Sequence, residues 1–251
     1  MFKTYRKITK SLEGSGLSKI PFVRQAHNKL IKSLAPQIVE MGGFKMYHLG
    51  SLYDDSDFFV KVLQKNIRYG DLVLDVGANI GYYTMLMSKI VGDSGKVYAF
   101  EPEPKNFEIL QKNIKINNIK NVIIEKFALS DKIGKSYLQI SKDSGQHRLS
   151  DSGLETQTTT IDNYFGNKKI DFIKMDAEGS EYNIFKGMKQ RPNMITEFYY
   201  KLLDSPEQFL NDLQEDYELF DVRDDLKPVI KQEVILKYKE GATDLFCKYS
   251  K

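Results

Sequence analysis

Short apolar runs and longer periodic stretches alternate along the second half of the chain. Leu72–Val76 (LVLDV), Lys96–Phe100 (KVYAF), Asn121–Ala128 (NVIIEKFA), Ile170–Met175 (IDFIKM) and Met194–Tyr199 (MITEFY) are compact, mostly apolar and bounded by polar residues or glycine. Such runs predict strands buried on both faces. Between them lie stretches with helical spacing. Asp54–Ile67 sets Phe58, Phe59, Val62, Leu63 and Ile67 along one side, and Ile80–Val91, Pro104–Asn117 and Ser180–Met188 read likewise. Strand–helix–strand alternation predicts a parallel sheet covered by helices on both faces. Right-handed crossovers make that sheet doubly wound.

The rhythm changes between Ala128 and Ile170. Ser136–Ser141 and Glu155–Ile161 alternate with period two and predict strands added at the edge region of the sheet, with a polar loop, Lys142–Gly153, between them. Tyr217–Val222 and Thr243–Tyr249 predict a final antiparallel pair. Residues 1–50 predict a helical extension interrupted at Gly14-Ser15-Gly16, Pro21, Pro36 and Gly42-Gly43. The predicted organisation is therefore an N-terminal extension over 1–50 and an α/β domain over 51–251.

Charge sharpens the first of these. Residues 1–35 hold eight basic side chains against Glu13 alone, a net +7, which leaves −4 for the rest of a chain whose total is +3. A basic arm on a mildly acidic body is either a solvated helical face or a contact for an anionic lipid surface or an acidic partner, such as a glycosyltransferase. The total is too small to imply nucleic acid. Met1–Lys10 lacks the apolar core of a signal peptide, and no run of eighteen apolar residues occurs. The single Cys247 excludes an internal disulfide. A cytoplasmic setting is expected, peripheral at the inner membrane face if the arm binds lipid.

The sharpest chemical signal is Asp75-Val76-Gly77-Ala78-Asn79-Ile80-Gly81 at a strand-to-helix junction. Glycine there lets the backbone turn tightly and approach a ligand. In doubly wound sheets ligands sit beyond the carboxyl ends of the strands at such a point. Glu101, followed by Pro102, ends the next strand, where a carboxylate can accept hydrogen bonds from both hydroxyls of a ribose. Dinucleotide binders use G-x-G-x-x-G, with a middle glycine that admits the pyrophosphate. Here the spacing is G-x-x-x-G, and Asp75 would repel a pyrophosphate while suiting a sulfonium or ammonium group. Asp75, Gly77, Ala78, Asn79, Gly81, Glu101, Pro102, Ala128 and Asp176 are the expected lining of an S-adenosylmethionine site, with Ala128 near the adenine.

The segments DLVLDVGANIGYYT, FEPEPKNFEILQKNIKINN, ALSD and IDFIKMDAEGSEYNIFKGM, in that order over about residues 70–200, resemble the FkbM family of methyltransferases. The resemblance implies a class I methyltransferase fold: a Rossmann-like doubly wound sheet, mostly parallel with a final antiparallel strand. It also implies O-methylation of a sugar or of a polyketide-type natural product.

Asp176-Ala177-Glu178-Gly179-Ser180-Glu181 crowds three carboxylates after the strand IDFIKM. Glu178 and Glu181 either stabilise a helix N-terminus or take part in chemistry. A sugar hydroxyl is a poor acid, so methylating it needs a group that removes its proton. Asp176, Glu178, Glu197 and the loop histidine His147 are the candidates. Asp176 and Glu197, on neighbouring strands, also offer an oxygen set suited to Mg²⁺ or Mn²⁺. The expected acceptor is a nucleotide sugar or glycan precursor for a surface polysaccharide, and assembly into an oligomer is open. A nicotinamide oxidoreductase, a nucleic-acid methyltransferase and a non-catalytic cofactor-binding partner are the competing readings. The first two lack their motifs: no middle glycine, and Met175-Asp176-Ala177-Glu178 where a base methylase carries Asn/Asp-Pro-Pro-Tyr/Phe.

Overall fold

In the computed structural model, residues 38–48, 57–140 and 147–250 are described. The chain divides after Tyr53. Before that point, β1 (Ile38–Met41) and β2 (Phe44–Tyr47) pair antiparallel. Gly42 and Gly43 close the hairpin at φ of 57° and 82°. Two successive residues at positive φ give the turn whose twist suits the flanking strands. The helical expectation for residues 1–50 is thus corrected over 38–48, because Gly42-Gly43 is a hairpin turn and not a helix break. The basic arm, residues 1–35, lies outside the described residues.

After that point the order is α1 (Asp57–Asn66), β3 (Leu72–Val76), α2 (Tyr82–Val91), β4 (Lys96–Phe100), α3 (Pro104–Ile116), β5 (Val122–Glu125), β6 (Ala128–Leu129), β7 (Gly134–Gln139), β8 (Arg148–Ser150) and β9 (Leu154–Thr159). There follow α4 (Ile161–Phe165), β10 (Phe172–Met175), α5 (Glu181–Lys186), β11 (Asn193–Tyr199), α6 (Pro206–Asp216), β12 (Tyr217–Asp221), β13 (Lys227–Pro228), α7 (Lys231–Tyr238) and β14 (Ala242–Tyr249). The large sheet runs β13-β12-β14-β11-β10-β3-β4-β5. Strands β11, β10, β3, β4 and β5 are parallel, and β14 is antiparallel to both of its neighbours.

Alternate residues of the central strands serve opposite faces. Val73, Val97, Phe172 and Ile195 pack against Val62 and Leu63 of α1 and Met87 and Val91 of α2. Leu74, Ile173 and Met175 pack against Ile184 and Phe185 of α5 and Phe209, Leu210 and Leu213 of α6. Helices α6 and α7 fall where the sequence reading assigns no element. Pro206 in the first turn of α6 loses no helical hydrogen bond there, and Phe209, Leu210 and Leu213 supply its buried side.

Two expectations are corrected in the region after α3. The strand expected over Asn121–Ala128 stops at Glu125; Phe127 turns its ring onto Phe100 and Tyr164, with centroids 5.6 and 5.7 Å away. Ala128 then enters a second sheet of order β6-β9-β7-β8. The two alternating segments belong to this small sheet and not to the edge of the large one. Leu138 is buried on its inner face while Tyr137 is exposed.

Candidate active site

The site forms where β3, β4 and β10 end side by side. At Gly77 (φ 73°) the chain leaves β3, and the amides of Gly77 and Ala78 both donate to the Phe100 carbonyl at 3.0 Å. A Cβ on Gly77 would stand 1.7 Å from the Asp176 carbonyl oxygen, so only glycine lets the loop pass the end of β10. Glu101 follows β4 directly. Its Oε2 accepts from the Asn79 amide at 2.7 Å and its Oε1 from the Glu103 amide at 2.9 Å. Burial is the larger influence and pushes the Glu101 carboxyl up to about 7, against these donors, which lower it. Glu103 in turn caps α3, accepting from the Asn106 amide at 2.6 Å.

A cleft opens over these strand ends. Gly77, Asn79, Glu101, Pro102 and Asn106 line one part; Phe127, Ala128, Leu129, Leu138 and Leu149 give apolar walls; Asp176, Ala177 and Glu178 complete it. Of the expected cofactor residues, Gly77, Asn79, Glu101, Pro102, Ala128 and Asp176 are in this lining. Ala128 is there as part of β6, not as the end of the third strand of the large sheet.

Asp75, Ala78 and Gly81 are not in the lining, and the reasons are specific. The Asp75 carboxylate is fully buried and already engaged, by the Thr84 hydroxyl at 2.5 Å and the Lys174 ammonium at 3.3 Å. Ala78 packs with Ala99 and Leu110. Gly81 sits at φ 91° at the start of α2, where a Cβ would meet Leu110 at 2.4 Å.

Three carboxylates gather at the end of β10, two following that strand and one within β11. Asp176, Glu178 and Glu197 can each place an oxygen within 4.8 Å of the others. Glu197 does not end its strand, which runs on to Tyr199. The parallel register pairs Met175 with Thr196, and this sets Asp176 level with Glu197. Burial first, then the neighbouring carboxylates, push Glu178 up to about 8 and Glu197 well above the usual carboxylate range. Among the described residues the buried Glu197 Oε2 finds no hydrogen-bond partner. Glu178 holds φ at 51°, a conformation that costs a non-glycine residue about 1 kcal/mol or more and that recurs at functional sites. Glu181 separates from this group. It is fully buried and accepts from the amides of Ala177 at 2.6 Å and Gly179 at 2.9 Å, so it shapes the turn before α5.

His147 also lines the cleft. Burial lowers its imidazole pKa, and Glu103 and Lys105 at the start of α3 bear on it electrostatically. The sequence reading missed Lys174, Asn106 and Phe127. Lys174 carried the one available signal, an ionisable residue inside a strand expected to be buried on both faces.

The strand order, the glycine turn after β3 and the acidic residue ending β4 define a class I S-adenosylmethionine-dependent methyltransferase domain, a fold that implies S-adenosylmethionine as cofactor. Residues 75–218, more than half of the chain, match the methyltransferase FkbM domain, and the chain belongs to that family. It is similar to Methyltransferase 1 of Beauveria bassiana, 24% identical over an alignment of 166 residues that covers 55% of this chain and 66% of that protein. It is also similar to the protein-L-isoaspartate O-methyltransferase of Fervidobacterium nodosum, 36% identical over 76 residues, 27% of this chain and 38% of that one. These matches span less than two thirds of either relative's length. A solved S-adenosylmethionine-dependent O-methyltransferase of Thermotoga maritima is 18% identical, with a TM-score of 0.47, covering 85% of this chain and 78% of that one. Among the described residues no helix is long and apolar enough to cross a membrane.

The cleft makes one binding prediction at once. In the expected pose a ribose diol would donate to both Glu101 oxygens, which needs the ionised carboxyl, because a protonated one turns one of those oxygens into a donor. With that group raised to about 7, affinity for S-adenosylhomocysteine should rise with pH, by about tenfold between pH 6 and pH 8. Glu101→Gln should weaken binding by about 1.5–3 kcal/mol at pH 8 and flatten the profile. Calorimetric titrations across that range check both, and a slope that survives in Glu101→Gln contradicts the assignment.

Proposed function

We propose that the chain is an O-methyltransferase acting on a sugar hydroxyl, with a nucleotide sugar or glycan precursor of a surface polysaccharide as acceptor. The observation that carries this reading is one cleft joining Glu101 to Asp176 and Glu178, with Glu197 beside them. When bound, S-adenosylmethionine supplies a methyl group on a sulfonium, whose positive charge makes the departing thioether a good leaving group. Glu101 would hold the ribose, the walls at Phe127, Ala128 and Leu129 the adenine, and Asn79 and Asp176 the methionine portion.

What remains for the chain is to orient the acceptor hydroxyl and take its proton as the oxygen gains the methyl group. Three carboxylates this close do not all ionise at neutral pH. Glu178, raised to about 8, is matched to proton uptake near neutrality. Asp176, whose side chain is substantially exposed, orients the hydroxyl. Glu197, held protonated by burial and its neighbours, donates a hydrogen bond to a second acceptor oxygen. Carboxyl groups in both protonation states suit a polyhydroxylated ligand, and the family resemblance points the same way. A divalent cation on Asp176, Glu178 and Glu197 is the second reading, favoured by the 4.8 Å clustering of their oxygens.

Incubating the full chain with methyl-labelled S-adenosylmethionine and a panel of nucleotide sugars tests the proposal. The expected result is label on a sugar oxygen, stable to mild base. Labelling of protein carboxyl groups, or of none of the sugars, counts against it. Turnover that survives a chelator removes the cation reading and leaves the carboxylates to act alone.

A further inference from the structure

Lys174 lies in the middle of β10, in register with Asp75 of β3, and is buried to 2% exposure. Its ammonium is 3.1 Å from the Gly77 carbonyl oxygen, 3.3 Å from Asp75 Oδ1 and 3.4 Å from Asp176 Oδ2, and it lies 5.6 Å from the centre of the Tyr83 ring. Each partner comes from a different part of the site. Asp75 is fixed in β3 and tied to Thr84 in α2. Gly77 is the glycine of the cofactor loop. Asp176 belongs to the carboxylate cluster.

Charge balance explains part of this. A fully buried Asp75 needs a counter-charge, and Lys174 supplies it. That role would be satisfied by contact with Asp75 alone. The two further contacts are not needed for it, and both are to groups that line the cleft. The side chain of Asp176 is otherwise open, with 41% of its surface exposed, and without a partner it would sample several rotamers.

We propose that Lys174 is a positioning residue: its buried ammonium clamps the Asp176 carboxylate and the Gly77 carbonyl together, so that the cofactor loop and the reacting edge of the cleft form one rigid unit. This rests on the methyltransferase reading of the cleft. It adds that Lys174 acts through Asp176 and need not touch cofactor or acceptor.

A double-mutant cycle tests it, with Lys174→Met and Asp176→Ala made singly and together in the full chain, and with S-adenosylhomocysteine affinity and methyl-transfer kcat as readouts. Each single change should weaken affinity about tenfold. The double variant should be no weaker than about the worse single one, and kcat should be equally non-additive, the double variant being no slower than about Asp176→Ala alone. Effects that multiply to about a hundredfold, or a Lys174→Met protein with wild-type affinity, would overturn the proposal, because a purely structural lysine gives that result. Lys174→Met leaves Asp75 buried and uncompensated, so the same cycle is also run on an Asp75→Asn background, which removes that charge. If Lys174→Met fails to fold even there, Lys174 serves the fold alone and the proposal is wrong. The affinity arm needs no acceptor. A wild-type protein that binds S-adenosylhomocysteine but methylates no sugar therefore corrects the acceptor and leaves Lys174 tested; one that fails to bind it overturns the cleft reading itself.

Discussion

Asp176→Asn should reduce methyl transfer by about a hundredfold, through lost orientation of the acceptor hydroxyl, while the protein still folds. The substitution keeps the size of the side chain and removes its charge. Asp176 follows β10, lines the cleft and sits level with Glu197, so in the proposed reading it would meet both cofactor and acceptor. Its side chain is substantially exposed, so no buried charge is stranded and the cost to stability is small. Steady-state kinetics with a saturating acceptor measure the loss as kcat, and thermal melts confirm the fold. Activity within a few-fold of wild type would mean that the acceptor approaches from another wall, with Leu149 and His147 as the neighbouring candidates.

Gly77→Ala should act on the fold as strongly as Asp176→Asn acts on the chemistry. The new methyl would overlap the Asp176 carbonyl oxygen at 1.7 Å, and that atom is backbone at the end of a central strand. The φ of 73° adds strain for any residue with a Cβ. Either the loop or β10 must move, at a cost of about 3 kcal/mol or more when backbone strain and overpacking are combined. Urea unfolding should show the midpoint falling, and cofactor binding should be lost in whatever folded protein remains. An alanine variant of wild-type stability would show that the loop passes β10 less closely than described.

These two sites show how far the sequence could be read. Leu72–Val76 and Lys96–Phe100 are strands with the residue limits that their apolar runs indicate, because both ends are marked by glycine or by charge. Gly77 and Glu101 were legible for the same reason: each stands one residue beyond such a run. Period-two alternation identified β7 and β9 as strands but carries no information on which sheet accepts them; pairing with β6 and β8 places them in a second sheet, whose Ala128, Leu129, Leu138 and Leu149 line the cleft. The surroundings of Asp75 were not legible in this way. Its position beside the loop suggested a ligand contact, yet the cross-strand register turns it toward Lys174, a partner 99 residues away. Glu178 and Glu181 looked alike in sequence. Folding separates them, because Glu181 closes its own turn while Glu178 is left facing the cleft.

The central claim is that the cleft over β3, β4 and β10 holds S-adenosylmethionine. Isothermal titration of the full chain at pH 8 with S-adenosylhomocysteine, and separately with NAD, tests it most directly. The expected result is saturable one-to-one binding of S-adenosylhomocysteine that is weakened by Glu101→Gln, and no heat from NAD. Binding of NAD, or S-adenosylhomocysteine binding that is indifferent to Glu101→Gln, would contradict it.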